Sequence, residues 1–75
     1  MEFLVIIEEG EHNFSAYSPD VPGCIATGDT LEETIATMQE GIAFHLEGLA
    51  RHNMPLPQPS RKRAEFVSVP EPMVS

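Results

Sequence analysis

The chain of 75 residues contains no tryptophan, one tyrosine, one cysteine and only four lysine or arginine residues. Its single cysteine, Cys24, excludes a disulfide within the chain. Twelve acidic residues give a net charge of −8, which disfavours direct contact with nucleic-acid phosphates. The apolar run 3–7 is too short to cross a membrane or to act as a secretion signal. We therefore expect a cytoplasmic protein of a reducing compartment, with no membrane partner.

The size of the chain, 8.3 kDa, allows one small hydrophobic core. A domain of this length buries only about 60% of the surface that its unfolded chain exposes, so a second subunit is a natural source of stability. The charge is unevenly distributed, because residues 1–60 carry a net charge of −9 whereas residues 61–75 carry +1. The acidic segment favours a basic protein as partner.

Three short strands are predicted in the first part of the chain. The unbroken apolar run 3–7 is typical of a strand buried on both faces, which we expect to be central in its sheet. Residues 13–18 alternate in polarity and predict a hairpin with that strand. The turn-rich segment 19–23 then separates the hairpin from a short third strand over residues 24–27.

A single long helix is predicted to follow the third strand. Thr30 and Glu33 have the spacing of a capping box, in which each side chain satisfies the free backbone N–H of the other residue. The helix therefore begins at about Leu31, and it ends near Asn53, ahead of a proline-rich connection. Apolar residues with helical spacing form one stripe, which consists of Leu31, Ile35, Met38, Ile42, Leu46 and Leu49.

Residues 64–69 predict a fourth strand, which Pro70 and Pro72 end. The order β-β-β-α-β predicts an α+β fold, with a mixed four-stranded sheet and one long helix on one face. The helix crossover returns the fourth strand parallel to the first and the third. We place the domain at residues 1–69 and a flexible tail at residues 70–75.

One helix can cover only one face of this sheet, so the other face leaves apolar side chains exposed. In a strand, Phe3, Val5 and Ile7 point to one side while their neighbours point to the other. We therefore expect a homo-oligomer, at least a dimer, that uses the open sheet face, a sheet edge or the small-residue side of the helix. The candidate interface residues are Leu4, Ile6, Gly41, Phe44 and Gly48.

The loop between the second and third strands is a candidate site for binding a partner, because its prolines fix its shape before binding. The candidate residues are Pro19, Asp20, Val21 and Pro22, and a purely structural turn is the alternative. Cys24, His45 and His52 do not complete the spacing of a metal site, and packing explains them. We expect no metal or other cofactor.

Three segments of the chain resemble the HicB family of antitoxins. They are YSPDVPGC over residues 17–24, TGDTLEET over residues 27–34 and PQPS over residues 57–60. The resemblance covers nearly the whole chain and implies the partial ribonuclease-H-like form of the β-β-β-α-β fold. It also implies a prokaryotic protein of a type II toxin–antitoxin system that binds and neutralises a small basic HicA-type toxin, which cleaves mRNA. Many such antitoxins have a C-terminal DNA-binding segment, for which residues 70–75 are too few, so direct DNA binding is not expected.

Two other functions are compatible with this fold. One is a stand-alone homo-oligomeric module with a regulatory or unknown role and no cognate toxin. The other is a degenerate nuclease or a nucleic-acid binder. An active nuclease needs several carboxylates around two divalent metals. The predicted strand 3–7 contains no acidic residue and the predicted strand 64–69 contains only Glu65, so we expect a protein without catalytic activity.

Overall fold

The computed structural model describes residues 1–73 and contains three strands and one helix. The elements are β1 (Ile6–Glu9), β2 (Phe14–Tyr17), β3 (Ile25–Gly28) and α1 (Leu31–Arg51). Both strand pairs are antiparallel, and the strand order is β1-β2-β3. The fold is therefore α+β, with one helix packed on a three-stranded sheet.

One expectation about the sheet is wrong. The first strand is an edge strand and not the central one, because β1 pairs only with β2. Residues 64–69 pair with no strand of the described chain, so the sheet has three strands and the predicted mixed four-stranded sheet is not confirmed. Phe66, Val67 and Val69 are residue types that favour strands, but a strand also needs neighbouring backbone groups for its hydrogen bonds, and no strand of the described chain lies beside this segment.

The two faces of the sheet carry the side chains that the strand period predicts. Ile7 lies beside Ala16, which in turn lies beside Ala26, and this row faces the helix. The next row, on the opposite face, contains Ile6, Tyr17 and Ile25. The buried core consists of Ala16, Val21, Ala26, Met38 and Ile42, with Phe3, Val5, Ile7, Cys24 and Leu46 packed against it.

Helix α1 begins as its capping residue directs. Thr30 is the N-cap, and its side-chain oxygen accepts a hydrogen bond from the backbone N–H of Glu33 at 3.1 Å. The buried residues of the helix are Thr34, Met38 and Ile42, whereas Leu31 and Ile35 are 41% and 40% exposed. The predicted stripe faces the core at Met38, Ile42 and Leu46. In the first turns of the helix it does not, because Thr34 and not a large aliphatic residue lies against the sheet.

The C-terminus of α1 is closed by backbone hydrogen bonds rather than by the prolines that follow. Asn53 adopts a left-handed conformation, with φ of 55°. The N–H of Asn53 donates to the carbonyl of Ala50, and the N–H of Met54 donates to the carbonyl of Leu49 at 2.8 Å. This pattern is a Schellman motif, which satisfies the free carbonyls at the end of the helix and turns the chain back toward the sheet.

The chain after the helix has two parts. Leu56, Pro57 and Pro59 are half-buried, and Ser60 is hydrogen-bonded to the loop after β2. Residues 61–73 are all exposed and without regular secondary structure. The packed body therefore consists of residues 1–60, and the domain boundary at residue 69 stays a prediction. Residues 74 and 75 of the predicted tail lie outside the described part of the chain.

We predict that Gly28→Ala destabilises the protein by about 1–3 kcal/mol, because it overpacks the contact between β3 and α1. A Cβ atom at Gly28 would lie 2.6 Å from the Thr34 hydroxyl and 3.1 Å from the Thr34 backbone nitrogen. Thermal unfolding followed by circular dichroism measures the effect. The matched control is Gly41→Ala, where the added methyl meets nothing within 4 Å and should stabilise the helix by roughly 0.5–1 kcal/mol. Equal effects of both substitutions would contradict the close packing at Gly28.

Candidate protein-binding surfaces

The segment after β2 holds the start of the chain against the sheet through side chains. The antiparallel register places Leu4 opposite Pro19, which has no N–H to donate. The hydroxyl of Ser18 donates instead to the carbonyl of Leu4 at 2.6 Å. The backbone N–H of Leu4 donates to the carboxylate of Asp20 at 3.0 Å. These two side chains continue the pairing beyond the last residues of β1 and β2.

Asp20 also binds the chain after the helix, because its Oδ2 atom accepts a hydrogen bond from the backbone N–H of Ser60 at 3.3 Å. One carboxylate therefore joins three segments that are distant in the sequence. Hydrogen bonding to Ser60 is the main cause that lowers the pKa of Asp20 below its ordinary value of 3.8, and the bond from Leu4 lowers the pKa further.

The rest of the loop is a tight turn anchored in the core. Val21 is completely buried, and its carbonyl accepts a hydrogen bond from the N–H of Cys24. Pro22 and Gly23 occupy the central positions, where Gly23 has φ of 90°, as a type II turn requires. Of the four candidate partner-binding residues, Pro19 and Pro22 are exposed, Asp20 is half-buried and Val21 is inside the protein. Contact with a partner at this loop stays a prediction, and its side-chain surface consists of the two prolines.

Sequence reasoning missed the residues that complete this arrangement. Ser18 is buried, and its hydroxyl also accepts hydrogen bonds from the N–H groups of Asp20 and Val21, at 3.2 and 3.3 Å. Ser60 lies 40 residues from Asp20 in the sequence, so no local pattern links them. The missing N–H of Pro19, opposite Leu4, is the signal that could have identified Ser18.

A shallow groove of about 400 Å³, here called the helix groove, runs along one side of α1. Three of the candidate interface residues lie together there, namely Gly41, Phe44 and Gly48. Phe44 is 77% exposed. Cys24, His45 and His52 line the same groove. No cluster of three His, Cys, Asp or Glu side chains within residues 1–73 could hold a metal ion.

A larger groove of about 640 Å³, here called the β1–α1 groove, lies between the helix and the start of the chain. Phe3, Val5 and Ile7 line one side of it. The helix supplies the other side, including Ile35, Ile42 and Leu46. The groove exists because α1 lies over β2 and β3 and does not approach β1. Leu4 and Ile6, the two remaining candidate interface residues, are half-buried and belong to the opposite face of the sheet.

Acidic side chains are concentrated at one end of the molecule. The row of Glu9, Phe14 and Gly28 marks the end of the sheet where the β1–β2 turn and the start of α1 lie. Six exposed acidic residues follow or flank this row, and together we call them the acidic end: Glu8, Glu9, Glu11, Asp29, Glu32 and Glu33. Among the described residues, the ion pairs are His12 with Glu11 and Arg63 with Glu65, both exposed. The acidic end therefore lacks a lysine or arginine counter-charge within residues 1–73.

The fold and these surfaces define a small, acidic α+β domain that consists of an antiparallel three-stranded sheet and one helix. Residues 3–71 match the family described as HicB-like antitoxin of bacterial toxin–antitoxin systems. The chain belongs to this HicB-like antitoxin family. The resemblance carried by residues 17–24 and 27–34 is confirmed. Within residues 1–73, no helix is both long enough and apolar enough to cross a membrane.

Individual relatives are similar over most of this chain. A UPF0150 protein of Thermoplasma acidophilum is 33% identical over 70 residues, which are 92% of this chain and 97% of the relative. The antitoxin HicB 2 of Photorhabdus laumondii is 31% identical over 70 residues, which are 93% of this chain and 50% of the relative. An uncharacterized 14.9 kDa protein of Haemophilus phage HP1 is 35% identical, and the chain covers 53% of it. The chain thus spans about half the length of the last two relatives.

The fold is similar to a chain in the solved HicA3 and HicB3 toxin–antitoxin complex. The TM-score is 0.62 and the sequence identity is 29%. The similarity covers 79% of this chain and 72% of the chain in the complex. Sequence and fold therefore indicate the same family.

We predict that Asp20→Asn lowers the melting temperature at neutral pH, because a neutral amide is a weaker acceptor for the N–H groups of Leu4 and Ser60. The folded-state pKa of Asp20 is lowered, so its stabilising effect is complete above the ordinary value of 3.8 and is lost as the pH falls through the lowered pKa. Melting temperatures measured from pH 7 to pH 2 should therefore converge for the two proteins in acid. Glu40→Gln on the exposed face of the helix is the control for the change in charge. A constant difference between Asp20→Asn and the native protein at every pH would contradict this role of the carboxylate.

Proposed function

We infer that this protein is a non-catalytic antitoxin that binds a small, basic, HicA-type toxin and blocks the surface with which the toxin cleaves mRNA. The main support is the similarity to a chain of the HicA3 and HicB3 complex over 79% of this chain. A prokaryotic, cytoplasmic toxin–antitoxin system is the setting that this function implies. The partial ribonuclease-H-like fold is part of the same proposal, because it requires a fourth strand beside β1.

The charge distribution supports a basic partner. The acidic end presents six carboxylates on two adjacent turns of the chain, and no lysine or arginine side chain within residues 1–73 pairs with them. A toxin that binds RNA needs a cationic surface. The electrostatic attraction between two such surfaces accelerates their encounter and directs their orientation. We therefore propose the acidic end, and not the loop 19–23 at the other end of the sheet, as the first contact with the toxin.

The proposal predicts that an equimolar amount of this protein stops RNA cleavage by the toxin that is encoded beside it. Association measured by stopped flow should be fast at low salt and should slow as the salt concentration rises, because ions screen the charges. Cleavage that continues when all toxin is bound, or no association even at low salt, would contradict the antitoxin function.

The contact surface is tested by two variants with the same change in charge. Glu8→Lys with Glu11→Lys alters the acidic end, whereas Glu40→Lys with Glu47→Lys alters the exposed side of the helix. We expect the first pair to slow association by about tenfold or more and the second pair to have a much smaller effect. Equal slowing by both pairs would show that net charge alone matters and that the acidic end is not the contact.

A second candidate function is a stand-alone homo-oligomeric module without a toxin. The Thermoplasma acidophilum relative favours it, because that relative matches over 97% of its own length and is therefore equally short. The genes beside the coding sequence separate the two candidates. An adjacent reading frame for a small basic protein supports the antitoxin, and its absence supports the stand-alone module.

We also predict that the purified protein shows no magnesium-dependent nuclease activity and does not retain duplex DNA at physiological salt. The described residues contain no cluster of carboxylates that could hold a metal ion, and a net charge of −8 opposes contact with phosphates. Incubation with labelled RNA and DNA, followed by gel electrophoresis, tests both statements. Cleavage that persists through purification and is abolished by EDTA would overturn the first one.

A further inference from the structure

The segment 61–73 makes no contact that holds it on its own chain. Phe66 is completely exposed, and Val67 and Val69 are 82% and 78% exposed. The polar contacts of this segment are local, such as the ion pair between Arg63 and Glu65 at 2.9 Å. Residues 64–69 include the aromatic and β-branched residues that favour strands, namely Phe66, Val67 and Val69. The segment is thus suited to a sheet that its own chain does not provide.

The dimensions of the chain show how much surface is left uncovered. Its accessible surface is 6521 Å², whereas a folded monomer of this mass exposes about 4,600 Å². Its radius of gyration is 16.0 Å, whereas a folded chain of this length has about 11 Å. The excess of roughly 1,900 Å² per chain is about twice the ~800 Å² that each partner buries in a protein–protein interface of standard size.

The surface that matches this segment is the free edge of β1. Both backbone groups of Leu4 bond toward β2, so the hydrogen-bonding groups of Val5 and Ile7 point to the free edge, because these directions alternate along a strand. The β1–α1 groove lies directly beside this edge, on the helix side of the sheet. A strand added at this edge would satisfy the free backbone groups and place alternate side chains over the groove.

We propose that residues 64–69 of each copy form the fourth strand on the β1 edge of a second copy, so that two copies exchange strands reciprocally. Phe66 then fills the β1–α1 groove of the other copy, and Val67 extends its open sheet face beside Ile6. The exchange produces a closed dimer with two-fold symmetry, in which the β1 edge of each copy is paired with the strand of the other copy.

One observation favours a second copy over the chain's own edge. The bond between Ser60 and Asp20 fixes the start of the segment close to Leu4, yet the residues after it extend into solvent and give the chain a length of 60 Å. The basic residues at the beginning of the segment, Arg61, Lys62 and Arg63, are attracted equally by the acidic residues 1–60 of either copy and so support the contact without deciding between the copies. This assembly does not depend on the proposed toxin, because both surfaces belong to the same chain.

The first experiment measures the mass of the full chain in solution at micromolar concentration, without any toxin. Sedimentation should give twice 8.3 kDa for the native protein. Phe66→Asp should raise the dissociation constant of the dimer by about a hundredfold or more, because each dimer buries two copies of this side chain. The matched control is Met73→Asp, which adds the same charge at an equally exposed position beyond Pro72 and should leave the dimer intact.

The substitution Phe66→Asp removes no contact within its own chain, so circular dichroism should show unchanged helix content. A native protein that is monomeric at these concentrations, or a Phe66→Asp variant that dimerises as well as the native protein, would overturn the proposal.

A second experiment distinguishes exchange from folding back onto the same chain. In a Cys24→Ser background, one preparation carries Glu8→Cys and another carries Val67→Cys, both at exposed positions of the native chain. A bifunctional thiol reagent with a reach on the order of 10 Å, about two strand spacings, is added to the mixture. Exchange predicts a covalent dimer between the two preparations. A third preparation carries both Glu8→Cys and Val67→Cys in one chain. If only this preparation reacts, and the crosslink forms within a monomer, the strand lies on its own chain and the proposal is wrong.

Discussion

The path of the whole chain depends on how the ladder between β1 and β2 continues past Pro19. A proline at that position removes one backbone donor opposite Leu4, and the side chains of Ser18 and Asp20 replace the missing pairing. The start of the chain thereby stays against the sheet, where Phe3 and Val5 contribute to the core. The same carboxylate binds Ser60 and so determines where the chain goes after the helix. One short loop therefore fixes both ends of the packed body.

The position of the helix follows from a second constraint, the close approach of Thr34 to Gly28. This contact holds the first turn of α1 against β3 and places the helix axis over β2 and β3. Met38 and Ile42 then fill the centre of the core, while the sheet surface next to β1 has no helix above it. The β1–α1 groove is thus a consequence of where the helix is anchored.

The sequence was sufficient to predict what depends on local patterns. The three strands, the N-cap at Thr30 and the alternation of Phe3, Val5 and Ile7 toward the core all follow from periodicity and capping chemistry, which act over a few residues. The edge position of β1 could not be predicted from its unbroken apolar run. Such a run occurs both in a central strand that is buried on two faces and in an edge strand that borders an apolar groove. The structural role of Asp20 could not be predicted either. Its carboxylate accepts hydrogen bonds from Leu4 and Ser60, which are 16 and 40 residues away, and no pattern in the sequence indicates such distant pairs.

The fourth strand illustrates a different limit of sequence reasoning. The aromatic and β-branched residues within 64–69 indicate that the segment suits a sheet, but they contain no information about which chain supplies the neighbouring strand. Pairing with a second copy would stabilise a small chain, because two copies together enclose a larger core than one chain of 75 residues can. The acidic end and the β1 edge share only Glu8 and Glu9 at the end of β1, whereas the β1–α1 groove lies beside Phe3, Val5 and Ile7. Self-association through the proposed strand and capture of a basic partner would therefore meet only at the end of β1, and a single small domain can serve both purposes.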